Sequence, residues 1–338
     1  MPETPIDQVA ELQPYQLALK TLGYRTLELF LGAVHAAGPA AARYLNTDPN
    51  ALVARLPQAA RHRLAAFAAA PPLSPLPLGV ALHYVPRPRT AFHVSLPLAA
   101  AAAPPVPAVN LIAQMPAIRD QGGRGTCVTF AALSVVEHYA GLQGAPVDLS
   151  EQFLYCDCKR NDGHPNEYGT WLGVAFPCLN RDGCCLESTW PYNPNVIPGD
   201  EGQCPPPPGA QTQALSHRVG TYHQLSPTSV QDVKHELQRQ RCVAFSVPVF
   251  DSWLNNTEVR RTGEIVLPFP GEGSDGGHAM CIVGYQDEPG EIHVGGGRFL
   301  LRNSWNTYWA TESQYGAGYG TIPYAYIARY GAEAYSID

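Results

Sequence analysis

Apolar positions in residues 8–70 recur at helical intervals. Leu19, Leu22, Leu27, Phe30, Val34, Ala41, Tyr44, Leu52, Leu56, Leu64 and Phe67 include many pairs three or four apart, the interval that lines one face of a helix. Gly23, Gly38-Pro39 and Asp48-Pro49 punctuate the run, since glycine and proline interrupt regular structure. The pattern predicts three to five short helices. Residues 71–107 change character, with ten prolines and the alanine run Ala99–Ala103. That composition predicts a linker or an extended strap. Tyr84, Phe92, Val94 and Leu96 are embedded in it. A free linker has no use for such side chains, so part of the strap is expected to lie in a groove.

From Asn110 the texture changes again. Gln121, Gly122, Gly123, Arg124, Gly125 and Thr126 form a flexible turn that runs into Cys127. Val128, Phe130, Ala131, Leu133, Val135, Val136 and Tyr139 then predict an apolar helix of about fourteen residues. A second helix starts after Leu149, with Ser150 as its N-cap. A third starts near Thr170 and is expected to stop before Pro177. Beyond residue 215 the pattern turns to strands at Cys242–Val249, Ala279–Tyr285, Arg298–Arg302 and Gly320–Ile327, with one helix over Ser229–Gln240. A helical half followed by a sheet half predicts an α+β fold. The boundaries that follow are a helical domain over 1–70, a strap over 71–107 and a larger domain over 108–338. The larger domain divides near residue 215 into 108–215 and 216–338.

Charge narrows the partners. The 338 residues carry 22 Lys and Arg against 29 Asp and Glu, a net charge of −7. That balance argues against nucleic-acid binding, which needs a basic excess. No apolar run reaches the length of a membrane-crossing helix, and the N-terminus does not read as a secretory signal. The charge is also uneven. Residues 1–105 hold eight basic against five acidic residues, +3, and the remainder 14 against 24, −10. Opposite signs favour docking of the first part on the second.

All nine cysteines follow residue 126, six of them between 156 and 204. One plus eight is the arithmetic of a lone thiol and up to four disulfides. A zinc site fits poorly: Cys156 and Cys158 have one residue between them, and Cys184 and Cys185 none. Structural zinc ligands keep two to four. No metal or other cofactor is expected. Disulfides point to an oxidising compartment, secreted or periplasmic.

Cys127 stands where a glycine-rich turn enters a helix. The N–H groups and dipole of the first turn stabilise an anion there, so a thiol becomes a better nucleophile. His278 follows Gly276-Gly277 at the mouth of an apolar strand, and Asn303 ends another strand ahead of Ser304-Trp305. Each alone reads as structural. Together, and in chain order with Leu149-Ser150-Glu151-Gln152 and Val283-Gly284-Tyr285, they resemble the papain-like cysteine peptidases over about residues 107–330. Gln121 stands six residues before the cysteine, and Trp305 and Trp309 follow Asn303 by two and six, as in that family.

The resemblance implies a two-domain papain-like fold with a cleft between a helical and a β half, preceded by a small helical domain. It implies a peptide or protein as substrate. Cys127 would attack the scissile carbonyl, His278 would pair with the thiolate, Asn303 would orient the imidazole, Gln121 would stabilise the oxyanion and Trp305 would cover the pair. Gly169 and Gly277 are the expected substrate-binding positions, and Gly277, without bulk or charge, favours apolar side chains beside it. Residues 1–107 would be a propeptide or regulatory region whose strap crosses the cleft. Cys156–Cys204 is the implied disulfide. The sequence departs from the family at Arg124, where a bridging cysteine usually stands, and at Val128, where an aromatic follows the nucleophile. The departures look like a bacterial branch. Two rival readings use the same residues: a catalytically silent peptide-binding protein, and an acyl transferase or peptide ligase.

Overall fold

A computed structural model of the chain describes residues 3–56, 58, 61–62, 76, 78–79 and 106–338. The N-terminal block holds helices α1 (Gln16–Thr21), α2 (Leu27–Leu45) and α3 (Pro49–Arg55). Thr26 caps α2, its Oγ1 accepting from Leu29 N, and Asn46 ends it in the left-handed region at φ 48°. The expected break at Gly38-Pro39 is a kink, centred on Ala37. Pro39 removes one backbone donor. Leu29, Phe30 and Ala33 before the kink and Ala40, Ala41 and Leu45 after it are all buried, so the expected break is present and both segments pack on the core. Tyr84, Phe92, Val94 and Leu96 of the strap lie outside the described residues.

The helical half contains α4 (Cys127–Leu142), α5 (Glu151–Asn161), α6 (Leu172–Arg181) and the short α7 (Ala210–Ala214). Ser150 caps α5 as expected, its Oγ accepting from Phe153 N. Contrary to expectation, α6 does not stop at Pro177. Proline costs that helix one hydrogen bond, to Gly173 O. Ala175 and Phe176 on one side and Cys178 and Leu179 on the other are buried, and their burial outweighs the loss. Cys156 and Cys204 form a disulfide with Cα atoms 5.6 Å apart. The other seven cysteines are free and buried, so one bridge replaces the four that the count allowed. They pack as small apolar side chains.

The second half is built on an antiparallel sheet of seven strands among the described residues. These are β1 (Ala108–Asn110), β2 (Tyr222–Gln224), β3 (Val243–Phe250), β4 (Ser274–Asp287), β5 (Gly297–Arg302), β6 (Tyr319–Pro323) and β7 (Glu333–Ile337). The order is β2-β7-β3-β4-β5-β6, with β1 also on β4. Helices α8 (Val230–Gln238), α9 (Asp251–Leu254) and α10 (Thr257–Thr262) lie between strands. The strand expected over Gly320–Ile327 ends at Pro323, and Tyr324–Tyr330 forms α11. A short apolar run satisfies both periods, and Pro323 closes the strand and opens the helix. The fold is the expected α+β one, a helical half followed by a sheet half.

The N-terminal block lies against the β half. Leu267 N donates to Leu22 O at 2.9 Å, Asn256 Nδ2 donates to Leu29 O at 3.2 Å, and Tyr24 stacks on Phe269 at 5.4 Å.

Candidate active site

Cys127 opens α4 and is fully buried. The turn before it is held by Gln121. Its backbone N donates to Ser304 O at 2.9 Å, its Oε1 accepts from Ser304 Oγ at 2.6 Å, and its Nε2 donates to Arg124 O at 2.8 Å. Gln121 is thereby fixed between the cysteine loop and the asparagine loop, which are remote in sequence. Arg124 is also buried. It donates to Gln152 Oε1 at 2.6 Å and to the carbonyls of Asn193 and Glu201 at 2.8 Å each, and lies over the rings of Tyr155 and Tyr192. A guanidinium with five fixed donors thus ties α5 and the 193–201 loop to the catalytic turn.

His278 sits on β4, beside the cysteine. Ala279 N donates to Cys127 Sγ at 3.3 Å, which puts the thiol against the backbone just past the histidine. His278 Nε2 meets Asn303 Oδ1 at 2.8 Å. Since that oxygen only accepts, Nε2 carries the proton. Nδ1 is buried without a hydrogen-bond partner. Trp305 stacks on the imidazole at 4.3 Å and 21°, and Trp309 braces Trp305 edge-on at 5.9 Å. Trp253 of α9 supplies a further wall, 6.4 Å from the imidazole and 6.5 Å from Trp305.

Burial sets the protonation of the pair. It pushes the Cys127 thiol up to about 12, against the N–H groups of Ala279, Gly79, Val128 and Cys127 itself, which favour the thiolate. It pushes His278 down to about 4, against the Asn303 hydrogen bond. Enclosed in this way, thiol and imidazole are both neutral at pH 7.

Gly79 from the strap lies in the same place. Its N–H donates to Gly277 O at 3.1 Å, and its carbonyl accepts from Thr170 N at 3.0 Å. A Cβ at Gly79 would fall 2.3 Å from Gly125 O, so only glycine fits against the cysteine turn. Leu78 packs beside Gly276. Of the expected substrate-binding residues, Gly277 meets the strap, Gly169 does so through its neighbour Thr170, and Trp305 covers the histidine. The rim carrying Thr170 is anchored on both sides. Lys159 Nζ, 2% exposed, donates to Gly169 O at 2.9 Å and pairs with Asp162 at 2.8 Å. Glu333 accepts from Gly173 N at 2.8 Å, Leu172 N at 3.1 Å and Ser246 Oγ at 3.2 Å, capping α6.

The comparisons agree with this geometry. A family model described as papain family cysteine protease matches residues 110–324. The chain belongs to that family. Among solved structures it is similar to xylellain, a cysteine protease from Xylella fastidiosa, with a TM-score of 0.60 at 24% identity over 69% of this chain and 86% of that one. It is also similar to digestive procathepsin L 3 of Tenebrio molitor larval midgut, with a TM-score of 0.54 at 20% identity over 76% and 74%. At these identities the likeness is one of fold. A peptidase C1-like protein of Acanthamoeba polyphaga mimivirus is 25% identical over 62% of this chain and 65% of its own length. A cysteine protease of Blomia tropicalis is 29% identical over 62% and 58%. The chain therefore spans less than two thirds of these relatives' length.

Within this papain-family site, sequence reasoning missed Trp253, Thr170, Lys159 and Glu333. Trp253 stands 25 residues before His278 without a motif. Lys159 and Glu333 look like surface charges until the fold buries them. Among the described residues no group of three or more His, Cys, Asp or Glu could hold a metal ion.

Proposed function

We propose that the chain is a peptide hydrolase that acts through Cys127 and His278 and is held inactive here by its own strap. One observation carries the chemistry: Cys127 Sγ lies on the backbone beside His278, while Asn303 takes Nε2 and leaves Nδ1 for the thiol. Once the cleft opens to water, the thiol proton passes to Nδ1. The thiolate attacks the substrate carbonyl carbon. The oxyanion is received by the Cys127 N–H and by Gln121 Nε2. Collapse breaks the C–N bond as His278 returns its proton to the leaving amine. Water, deprotonated by His278, then cleaves the thioester and frees Cys127.

The inhibited state is supported by the way Gly79 lies. The Gly79 N–H donates to Gly277 O and its carbonyl accepts from Thr170 N, so the strap backbone at this residue is bound to both walls of the cleft. Opposite net charges of the two parts support docking of residues 1–105 on the remainder.

The test is an irreversible thiol-directed peptide probe, with the labelled residue mapped before and after the strap is displaced. Labelling at Cys127 after displacement, together with peptide turnover that Cys127→Ala lowers at least ~10⁴-fold, is the expected result. Labelling without turnover would favour the silent binding protein. Ligated product in place of hydrolysed product would favour the transferase.

A further inference from the structure

We propose that residues 3–56 are a permanent part of the working enzyme, which stay on the catalytic part after the strap is cut out and hold Trp253 against His278. The proposal rests on the peptidase reading and parts from it in one respect: the restraint lies in the strap alone, and the helical block is scaffold.

The two segments are attached in different ways. Around Gly79 the strap's described hold on the cleft is two backbone hydrogen bonds, glycine's close approach to the cysteine turn, and the partly buried Leu76 and Leu78. The helical block shares a buried core with the β half. Tyr24, Phe30 and Leu31 are 0% exposed, and Trp253 and Phe269 are 1% exposed. Peeling the block away would bring these rings into water. Asn256 links the two parts through one side chain. Its Oδ1 accepts from Glu258 N and Val259 N to close α10, while its Nδ2 donates to Leu29 O in α2. Gly32 of α2 leaves room for that amide, since a Cβ there would lie 2.1 Å from Asn256 Oδ1. Arg25 adds ion pairs to Glu264 and Glu288, and those acids also pair with the buried Arg298.

The block also reaches the chemistry. Helix α9 packs on α2 and carries Trp253, whose ring stands edge-on to His278 at 70°. Trp253 further contacts Trp305 and Tyr326. The imidazole is thus flanked by Trp305 and by Trp253, whose helix α9 packs on α2. Trp253 is a positioning residue. With α2 gone, one wall of the histidine loses its support and water reaches the ring.

The experiment places recognition sequences for a site-specific protease within residues 63–70 and 85–100 of the full chain, so that cutting releases the peptide bearing residues 76–79. Size exclusion and intact-mass analysis then follow the N-terminal fragment. Co-elution with the catalytic fragment at 1:1, with turnover of a fluorogenic peptide raised at least tenfold over the uncut chain, is the expected result. Separate elution with turnover retained would overturn the proposal. Two substitutions on the same helix sharpen the test. Gly32→Ala meets Asn256, whereas Gly38→Ala meets nothing within 4 Å. In the cut enzyme, Gly32→Ala should weaken co-elution, lower kcat at least fivefold and move the alkaline limb of kcat/KM upward as water relieves the buried imidazolium. Gly38→Ala should match the unsubstituted enzyme, and equal behaviour of the two variants would also overturn the proposal. Co-elution is read without turnover, so failure of the peptidase reading, seen as no turnover and no probe labelling at Cys127, remains distinguishable.

Discussion

At the residue scale, the catalytic pair is governed by solvent access. With Cys127 raised to about 12 and His278 lowered to about 4 by burial, the enclosed pair is neutral throughout the interval between those values. At pH 7 the thiol form then dominates. Removing the strap returns water to the site. The thiol value then falls and the imidazole value rises, and the ion pair becomes the resting state. Iodoacetamide labelling of Cys127, followed by peptide mapping against pH, should show this. In the intact chain the rate should be at least about 100-fold lower at pH 7 than in a strap-displaced variant, and still rising at pH 9. The displaced variant should reach its plateau near neutrality. Identical profiles would mean that burial does not control the pair. Cys127, His278, Asn303 and Gln121 were legible in the sequence because their spacing and order match a known chemistry. Trp253 was not, because its role depends on a helix that meets the histidine only in the fold.

At the element scale, the strap and the cysteine loop invite separate tests. Gly79→Leu would drive a side chain into the Gly125 carbonyl, 2.3 Å from the Cβ position. Backbone at the nucleophile's turn cannot yield as a flexible side chain would. The variant should therefore expel the strap and raise basal turnover at least tenfold without any cleavage. No change in turnover would count against a cleft-filling strap. The Cys156–Cys204 bridge closes 48 residues, and chain entropy assigns about 4 kcal/mol to a loop of that size. Cys156→Ser should lower the unfolding free energy in urea by about that amount, and an unshifted midpoint would refute the contribution. The same element shows why sequence reading of helix ends fell short. Pro177 was read as a stop from local chemistry, whereas buried faces on both sides carry α6 through; the break read at Gly38-Pro39 is present, as non-helical backbone at Ala37.

On the scale of the whole molecule, the buried apolar cluster runs without interruption from Ile6 and Leu12 through Phe30 to Trp253, Phe269 and Ile337. A chain with one continuous core is expected to unfold as one unit. Calorimetry of the intact chain should give a single transition, and tryptophan fluorescence and far-ultraviolet dichroism should follow the same curve. An earlier transition confined to the N-terminal helices would show that the block is held only loosely.

The sequence by itself determined the family and the expectation of thiol chemistry at Cys127. A cysteine at a helix start, a histidine at a strand mouth and an asparagine before two tryptophans are local patterns, and local patterns survive in one dimension. Prolines and embedded apolar residues supplied the expectation of a strap, of which Leu78 and Gly79 lie against Gly276 and Gly277. Tertiary structure decided which charges are buried, which cysteines stay unbridged and which rings meet the histidine, whereas the Cys156–Cys204 bridge is the one the family resemblance implied. Lys159 and Glu333 became anchors of the Thr170 rim, and Arg124 took over the tying of the cysteine turn. The reason is physical: burial and partnership are properties of pairs distant along the chain, and the free energy of a charged group depends more on what surrounds it than on its neighbours in sequence.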